Sequence, residues 1–299
     1  MSDNETTEAT SQKTKPPETK KEIIQEIISR FKKEEIDLPS APQISIKFRE
    51  ISNKEVKIQE IADLLKQDVA ITSKLIGVAN SAYYRGFSEI KTLAQAVSRL
   101  GLTTTKQYVE AICNRSLYTT NNKKFLEFVE KLWEHSLSCA YASQIISEIL
   151  KLRLPDDAFT LGLLHDIGRL LLLQIFGELE GRGQLGEEFS EIDMFKDIDE
   201  YHGRFGAALL KRWEFSKRYI QIALYHDNLE PAPTVSEELL VVNLANLLVK
   251  SMGSDQDQQA EIDVEGATST RQLELDSKMI AEVKDKVKNL MDEMKEIFA

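Results

Sequence analysis

Apolar residues recur at helical spacing along most of this chain. Ile24, Ile27, Ile28 and Phe31 fall at i, i+3, i+4 and i+7 and make one stripe. The run Leu38-Pro39-Ser40-Ala41-Pro42 breaks it, because a residue before proline is pushed out of helical geometry. From Ile44 to about Leu117 the pattern predicts a string of short helices. Ile58, Ile61, Ala62 and Leu65 form one stripe, and Asp68 can cap a following helix that carries Ile71, Leu75, Ile76 and Ala79. Thr92 and Gln95 make a capping box, and Gly101 suits the C-terminal end of the helix they open. Sustained period-two alternation with turn dipeptides is missing from this block, which argues against strands.

A polar break at Thr119-Thr120-Asn121-Asn122-Lys123-Lys124 precedes a second helical block. Pro155 suits a first helical turn, and Asp156 and Asp157 suit a helix N-terminus, predicting a helix to about Phe176 with His165-Asp166 in its middle. A glycine- and glutamate-rich connection, Gly177 to Glu191, leads to helices over about Glu200 to Trp213 and Ser216 to Tyr225, with a further one over Ser236 to Ser251. Residues 252–270 hold few large apolar groups and are expected as a mobile acidic loop. In 271–299, Ile280, Val283, Val287, Leu290, Met294 and Ile297 form a heptad-like seam on an amphipathic helix. Both docking on the domain and pairing as a coiled coil in a homodimer satisfy that seam, although two and a half heptads are short for independent pairing. Residues 1–21 are polar, with Pro16-Pro17, and are expected as a disordered tail. The fold expected is therefore all-α, with an N-terminal helical subdomain over 22–118 packed on a second over 119–251.

Composition narrows the function. The chain has 299 residues, 42% of them hydrophobic, enough for a sizeable core, and a net charge of -11 that repels nucleic acid and anionic lipid. Cys113 and Cys139 form no CxxC pair and read as reduced core residues of a cytoplasmic protein. The N-terminus carries no apolar signal region, and the most apolar run, Leu170 to Phe176, is too short to span a bilayer.

The four histidines carry the candidate chemistry. His135, His165, His202 and His226 lie in the strings Leu-Trp-Glu-His-Ser, Leu-Leu-His-Asp-Ile-Gly-Arg, Tyr-His-Gly-Arg-Phe-Gly and Leu-Tyr-His-Asp. An adjacent His165-Asp166 offers an imidazole nitrogen and a carboxylate oxygen from one turn. These strings resemble those of HD metal-dependent phosphohydrolases, and the resemblance implies that such a pair is completed by a histidine from an earlier helix and an aspartate from a later one, holding an ion that activates water against a phosphate ester. On that likeness His135 supplies the first, but the later helix reads Ala245-Asn246, and a neutral amide cannot neutralise a hard cation. Each residue also has a purely architectural reading. His135 can be a hydrogen-bonded core histidine, and His165-Asp166 an internal polar bridge where Gly162 and Gly168 let another helix approach. His202 can cap a helix, and His226-Asp227 can end one.

Several motifs in order resemble the HDOD domain, an all-helical relative of the HD metal-dependent phosphohydrolases. They are Leu38-Pro-Ser-Ala-Pro, Gln67-Asp68-Val-Ala-Ile-Thr-Ser-Lys-Leu-Ile, Val78-Ala-Asn-Ser-Ala-Tyr83 and Ala94 to Gly101 in the first half. In the second half they are Leu132 to Ser136, Ala158 to Arg169, His202 to Leu210, and Trp213. The resemblance covers roughly residues 25–250. It implies a bacterial signal-transduction module without a complete catalytic site, acting through signalling proteins. A partial likeness to HD-GYP phosphodiesterases implies His135, His165, Asp166, His202 and His226 as ligand positions for Fe, Mn, Zn or Ni, with Arg169 in place of a phosphate-binding lysine. Three departures oppose hydrolysis: Lys131 where an acidic ligand is expected, Tyr225 for a histidine, and Asn246 for the later aspartate. The implied alternatives are a phosphohydrolase acting on a nucleotide such as cyclic di-GMP, and a nucleotide sensor without hydrolysis.

Overall fold

The computed structural model describes residues 20–33, 36, 39–44, 46–47, 57–84, 86–154, 157–185, 190–253 and 262–298. The described residues form helices and no strand, so the all-α expectation holds. The tail expected over residues 1–21 lies outside them up to residue 19, as do Leu38, Pro155 and Asp156 of the sequence motifs.

The first half runs α1 (Lys20–Lys32), α2 (Ile58–Leu65), α3 (Val69–Asn80) and α4 (Leu93–Arg115). Its boundaries follow the local chemistry. Asp68 accepts from the Ile71 amide at the start of α3, and Thr92 and Gln95 close a reciprocal capping box on α4. Gly101, at φ 76°, interrupts α4 in a conformation that side chains with a Cβ resist, so Leu93–Leu100 and the segment from Leu102 are separate helical runs.

The second half comprises α5 (Leu126–Ile149), α6 (Ala158–Leu164), α7 (Ile167–Gly181), α8 (Glu191–Arg212), α9 (Lys217–Tyr225), α10 (Glu237–Ser251), α11 (Thr268–Gln272) and α12 (Ser277–Phe298). Helix α5 packs against α6 and α10, while α7 and α9 both pack against α8. Three expectations are corrected. The helix expected from Pro155 to Phe176 is two, α6 and α7, broken at His165-Asp166 rather than passing through them. Helix α8 begins at Glu191, not near Glu200, with Ser190 accepting from the Asp193 amide, and α7 continues to Gly181, which shortens the glycine-rich connection. Residues 262–270, expected within a mobile loop, are packed: Val264 is buried, Thr270 Oγ1 donates to the Val264 carbonyl, and α11 begins at Thr268. Residues 254–261 of that loop lie outside the described set.

One hydrophobic cluster runs from Ile23 to Phe298 and joins both halves. The α12 seam is part of it. Val283, Val287, Leu290 and Met294 are buried against α5 and α3, each contributing about 1.5–3 kcal/mol of transfer free energy. Phe298 packs on Trp133, with ring centres 5.5 Å apart, and Glu293 accepts from the Tyr83 amide. The seam is thus covered by its own chain. The one apolar stretch of membrane-spanning length among the described residues, Ala158–Gly181, is 83% buried inside the fold.

Two glycines set the helix spacing that matters most. A Cβ on Gly162 would stand 2.5 Å from the Cys139 carbonyl oxygen of α5, and one on Gly168 would stand 1.9 Å from the His202 carbonyl oxygen of α8. Only glycine permits either approach, as the spacing of these glycines around His165-Asp166 suggests. Gly168→Ala is therefore expected to lower the melting temperature by several degrees. Overpacking costs about 1–3 kcal/mol and each kcal/mol moves the midpoint by about 2–4 °C in a chain of this size. Gly181→Ala, whose Cβ meets nothing within 4 Å, is expected to leave it unchanged or raise it slightly. Calorimetric scans of the two variants that superimpose would contradict this packing.

Candidate metal centre

The break between α6 and α7 places Asp166 at the N-terminal end of α7, where the helix dipole favours a carboxylate. The close approach at Gly162 brings His135 of α5 beside it, and that at Gly168 brings His202 of α8. His226, the residue after α9, completes the group. All four histidines, spread over 92 positions of chain, meet on this one carboxylate.

Asp166 Oδ2 lies 3.5 Å from His135 Nε2, 3.4 Å from His165 Nε2 and 3.1 Å from Arg169 Nε. Its other oxygen, Oδ1, lies 3.1 Å from His226 Nε2 and 3.5 Å from His202 Nε2. The second carboxylate is Asp227, whose Oδ2 is 3.2 Å from His202 Nε2 and 3.5 Å from His226 Nε2. Asp166 and His165 are each 1% exposed, His226 also 1%, and His135 and His202 5%.

This donor set fits a divalent cation. His165 Nδ1 faces the Gly162 carbonyl at 2.7 Å, His202 Nδ1 those of Ile198 and Asp199 at 3.0 and 2.9 Å, and His226 Nδ1 that of Ile222 at 3.0 Å. Each ring therefore donates from Nδ1 and turns the lone pair of Nε2 inward, the arrangement that orients metal-binding imidazoles. His202 and His226 then bring two Nε2 lone pairs to 3.4 Å, which repel unless a proton or cation lies between them. The buried His165 Nε2 and Asp166 Oδ1 make no hydrogen bond of ordinary geometry. Donors about 2.1 Å from a common ion sit roughly 3.0–3.4 Å apart at angles between square and tetrahedral, close to the separations found here. Three overlapping groups bring their donor atoms within 4.8 Å of one another: His135/Cys139/His165, His165/Asp166/His226 and His202/His226/Asp227.

Charge is balanced by fixed cations. Burial opposes ionisation of Asp166, but the Arg169 guanidinium and the His165 ring overcome it and hold the carboxyl well below the usual range. For Asp227, burial is likewise outweighed by His226, by the His202 contact and by Lys250. Burial pulls the His165 pKa down, yet the Asp166 carboxylate and the Cys139 thiol leave it raised, while burial pushes the Cys139 thiol up.

Arg169 also pairs with Asp199 and Asp227, and Lys250 Nζ lies 3.0 Å from Asp227 Oδ1.

His135, His165, Asp166, His202 and His226 are brought together as the sequence implied. His202 lies within α8 rather than capping a helix start. Lys131 is not near the centre: it lies at the surface, paired with Glu127 at 2.6 Å, so it adds no charge there. Arg169 is enclosed by three carboxylates instead of open to a phosphate. Tyr225 is partly buried against the core. Asn246 donates to Asp227 Oδ1 at 2.7 Å, and its own buried Oδ1 has no hydrogen-bond partner. Sequence reasoning missed Cys139, Asp199, Asp227 and Lys250. A signal existed for Asp227, since His226-Asp227 repeats the His-Asp adjacency of His165-Asp166. None existed for Lys250, which reaches the centre only because α10 packs on α9 and α5.

A family model described as the HDOD domain matches residues 38–229. The chain is similar to a solved HDOD domain protein of unknown function from Geobacter sulfurreducens, at 22% identity and TM-score 0.71 over 92% of this chain and 97% of that one. It is similar also to a presumed metal-dependent phosphohydrolase from Shewanella amazonensis SB2B, at 20% identity and TM-score 0.65 over 90% and 99%. Likenesses at such identity speak for the fold alone. An uncharacterized protein of Treponema pallidum (strain Nichols) is 24% identical over 73% of this chain, which spans only 43% of that relative's length.

In chelator-treated protein, Asp166→Asn is expected to lower unfolding stability, though by less than the ~3–5 kcal/mol of a fully orphaned buried charge, because it removes the most buried of the three carboxylates around Arg169 and leaves Asp199 and Asp227. Asp166 and Asp227 have folded pKa values below the unfolded value near ~3.9, so the stability they contribute is present above it and lost as pH falls through the folded range. Urea midpoints between neutral and acid pH are expected to fall less steeply for Asp166→Asn than for the parent. Parallel curves would refute the assignment of that charge.

Proposed function

The chain belongs to the HDOD domain family, and we propose that it is a regulatory module whose buried histidine-aspartate centre holds an ion without performing hydrolysis. The observation that carries this reading is enclosure. The four histidines and Asp166 are at most 5% exposed, and neither of the two described cavities is lined by any of them. A phosphate ester needs a path to the ion and a free cation to receive its charge. Arg169, the residue at the phosphate-binding position, is held by Asp166, Asp199 and Asp227 and is free for no phosphate until those pairs break. Asn246 removes a further carboxylate. A divalent ion here would supply Lewis acidity and cross-link α8 and the end of α9. Backbone carbonyls hold the rings of His165, His202 and His226. Output then passes through the outer helical surfaces to signalling proteins, as the family implies.

One observation favours a second reading, metal-dependent phosphohydrolysis of a nucleotide such as cyclic di-GMP. The donor atoms keep ligand-like spacing, and a fold relative is named as a presumed metal-dependent phosphohydrolase. The two readings separate in one assay. Full-length protein reconstituted with Fe²⁺, Mn²⁺, Zn²⁺ or Ni²⁺ is expected to turn over cyclic di-GMP and bis-p-nitrophenyl phosphate no faster than its His165→Ala variant. Turnover that disappears in that variant would establish the hydrolase instead.

A further inference from the structure

The sequence lacks the aspartate expected at position 246, yet the centre is not short of a carboxylate. We propose that Asp227 has taken that place: with His202 and His226 it forms a two-histidine, one-carboxylate site for a single divalent cation of the zinc or cobalt class. Asn246 and Lys250 position Asp227, and Arg169 fills the role of a second ion. The inference rests on the reading of the centre as one that holds an ion.

The three donor atoms form a nearly equilateral triangle. His202 Nε2 and His226 Nε2 are 3.4 Å apart, Asp227 Oδ2 is 3.2 Å from the first and 3.5 Å from the second. A point equidistant from such atoms lies about 2 Å from each, the distance at which zinc takes imidazole nitrogen and carboxylate oxygen. Both imidazoles have Nδ1 anchored on backbone carbonyls, so their Nε2 lone pairs are fixed toward that point. Asp227 is fixed as well. Its Oδ1 accepts from Asn246 Nδ2 at 2.7 Å and from Lys250 Nζ at 3.0 Å, which leaves Oδ2 as the oxygen turned to the rings. The amide at position 246 thus orients a ligand. It need not be one.

The opposite face of Asp166 argues for one ion only. Its Oδ2, beside His135 and His165, already receives the Arg169 guanidinium at 3.1 Å. A second divalent ion there would stand against that charge at closer range than one at Asp227 Oδ2, which the same guanidinium faces at 3.6 Å and whose partner oxygen is also held by Lys250. The Asp227 side is also the open one. Its side chain is 35% exposed against 1% for Asp166, so a bare ion has a route in from that side, while the His202 and His226 nitrogens stay enclosed.

The test uses chelator-stripped full-length protein titrated with Co²⁺ and Zn²⁺. Uptake is followed calorimetrically, and cobalt coordination by visible absorption. The parent is expected to bind one equivalent. Asp227→Asn, isosteric and partly exposed, is expected to weaken binding at least tenfold and to change the cobalt spectrum. Asn246→Ala is expected to weaken it about 10–100-fold, as loss of a ligand-orienting residue does. His135→Gln is expected to keep one equivalent, and circular dichroism confirms that each variant is folded. Uptake of two equivalents, or binding unchanged by Asp227→Asn but lost in His135→Gln, overturns this assignment while leaving an ion-holding centre. No uptake by the folded parent overturns both.

Discussion

An ionised aspartate at 1% exposure costs several kcal/mol unless its charge is met, and Asp166 sits at that exposure where two helices part. The packing around it follows from this constraint. Arg169, one turn into α7, answers the charge directly. The His165 ring comes from the same break and those of His135, His202 and His226 from α5, α8 and the end of α9, and Gly162 and Gly168 give up their side chains so that α5 and α8 can come close enough. An account of the fold that began from the hydrophobic cluster would explain why the helices associate. It would not explain why α6 and α7 break where they do.

The same constraint separates ancestry from activity. A catalytic centre of this kind keeps open coordination positions and free cations for a phosphate. Here, three carboxylates face two fixed cations, Arg169 and Lys250, and the ring nitrogens are enclosed. The cations that a substrate would need are taken up by the protein itself. What remains is a closely ion-paired node joining α7, α8, α9 and α10, with α12 laid over α5 and α3 on another side.

Much of this could be read from the sequence because short-range chemistry decided it. The caps at Asp68 and Thr92, the apolar stripes and the α12 seam depend on neighbours three or four residues away. The family motifs did the same for the five main donor residues. The break at His165-Asp166 could not be read so, since apolar periodicity continues through it and only the packing of α6 on α5 and of α7 on α8 requires it. The HD-GYP likeness implies a ligand position at Lys131, one turn before His135. One turn is also enough to carry a long side chain out to Glu127 at the surface. Asp227 and Lys250 were missed for the opposite reason: their role exists only once α9 and α10 lie side by side.

The central claim is that one cation, held from the Asp227 side, completes this centre. Anomalous diffraction from crystals of the zinc-loaded protein, recorded at the zinc edge, tests it most directly. The account predicts a single peak about 2 Å from His202 Nε2, His226 Nε2 and Asp227 Oδ2. A peak between His135 and Asp166 Oδ2, or two peaks bridged by Asp166, would contradict it.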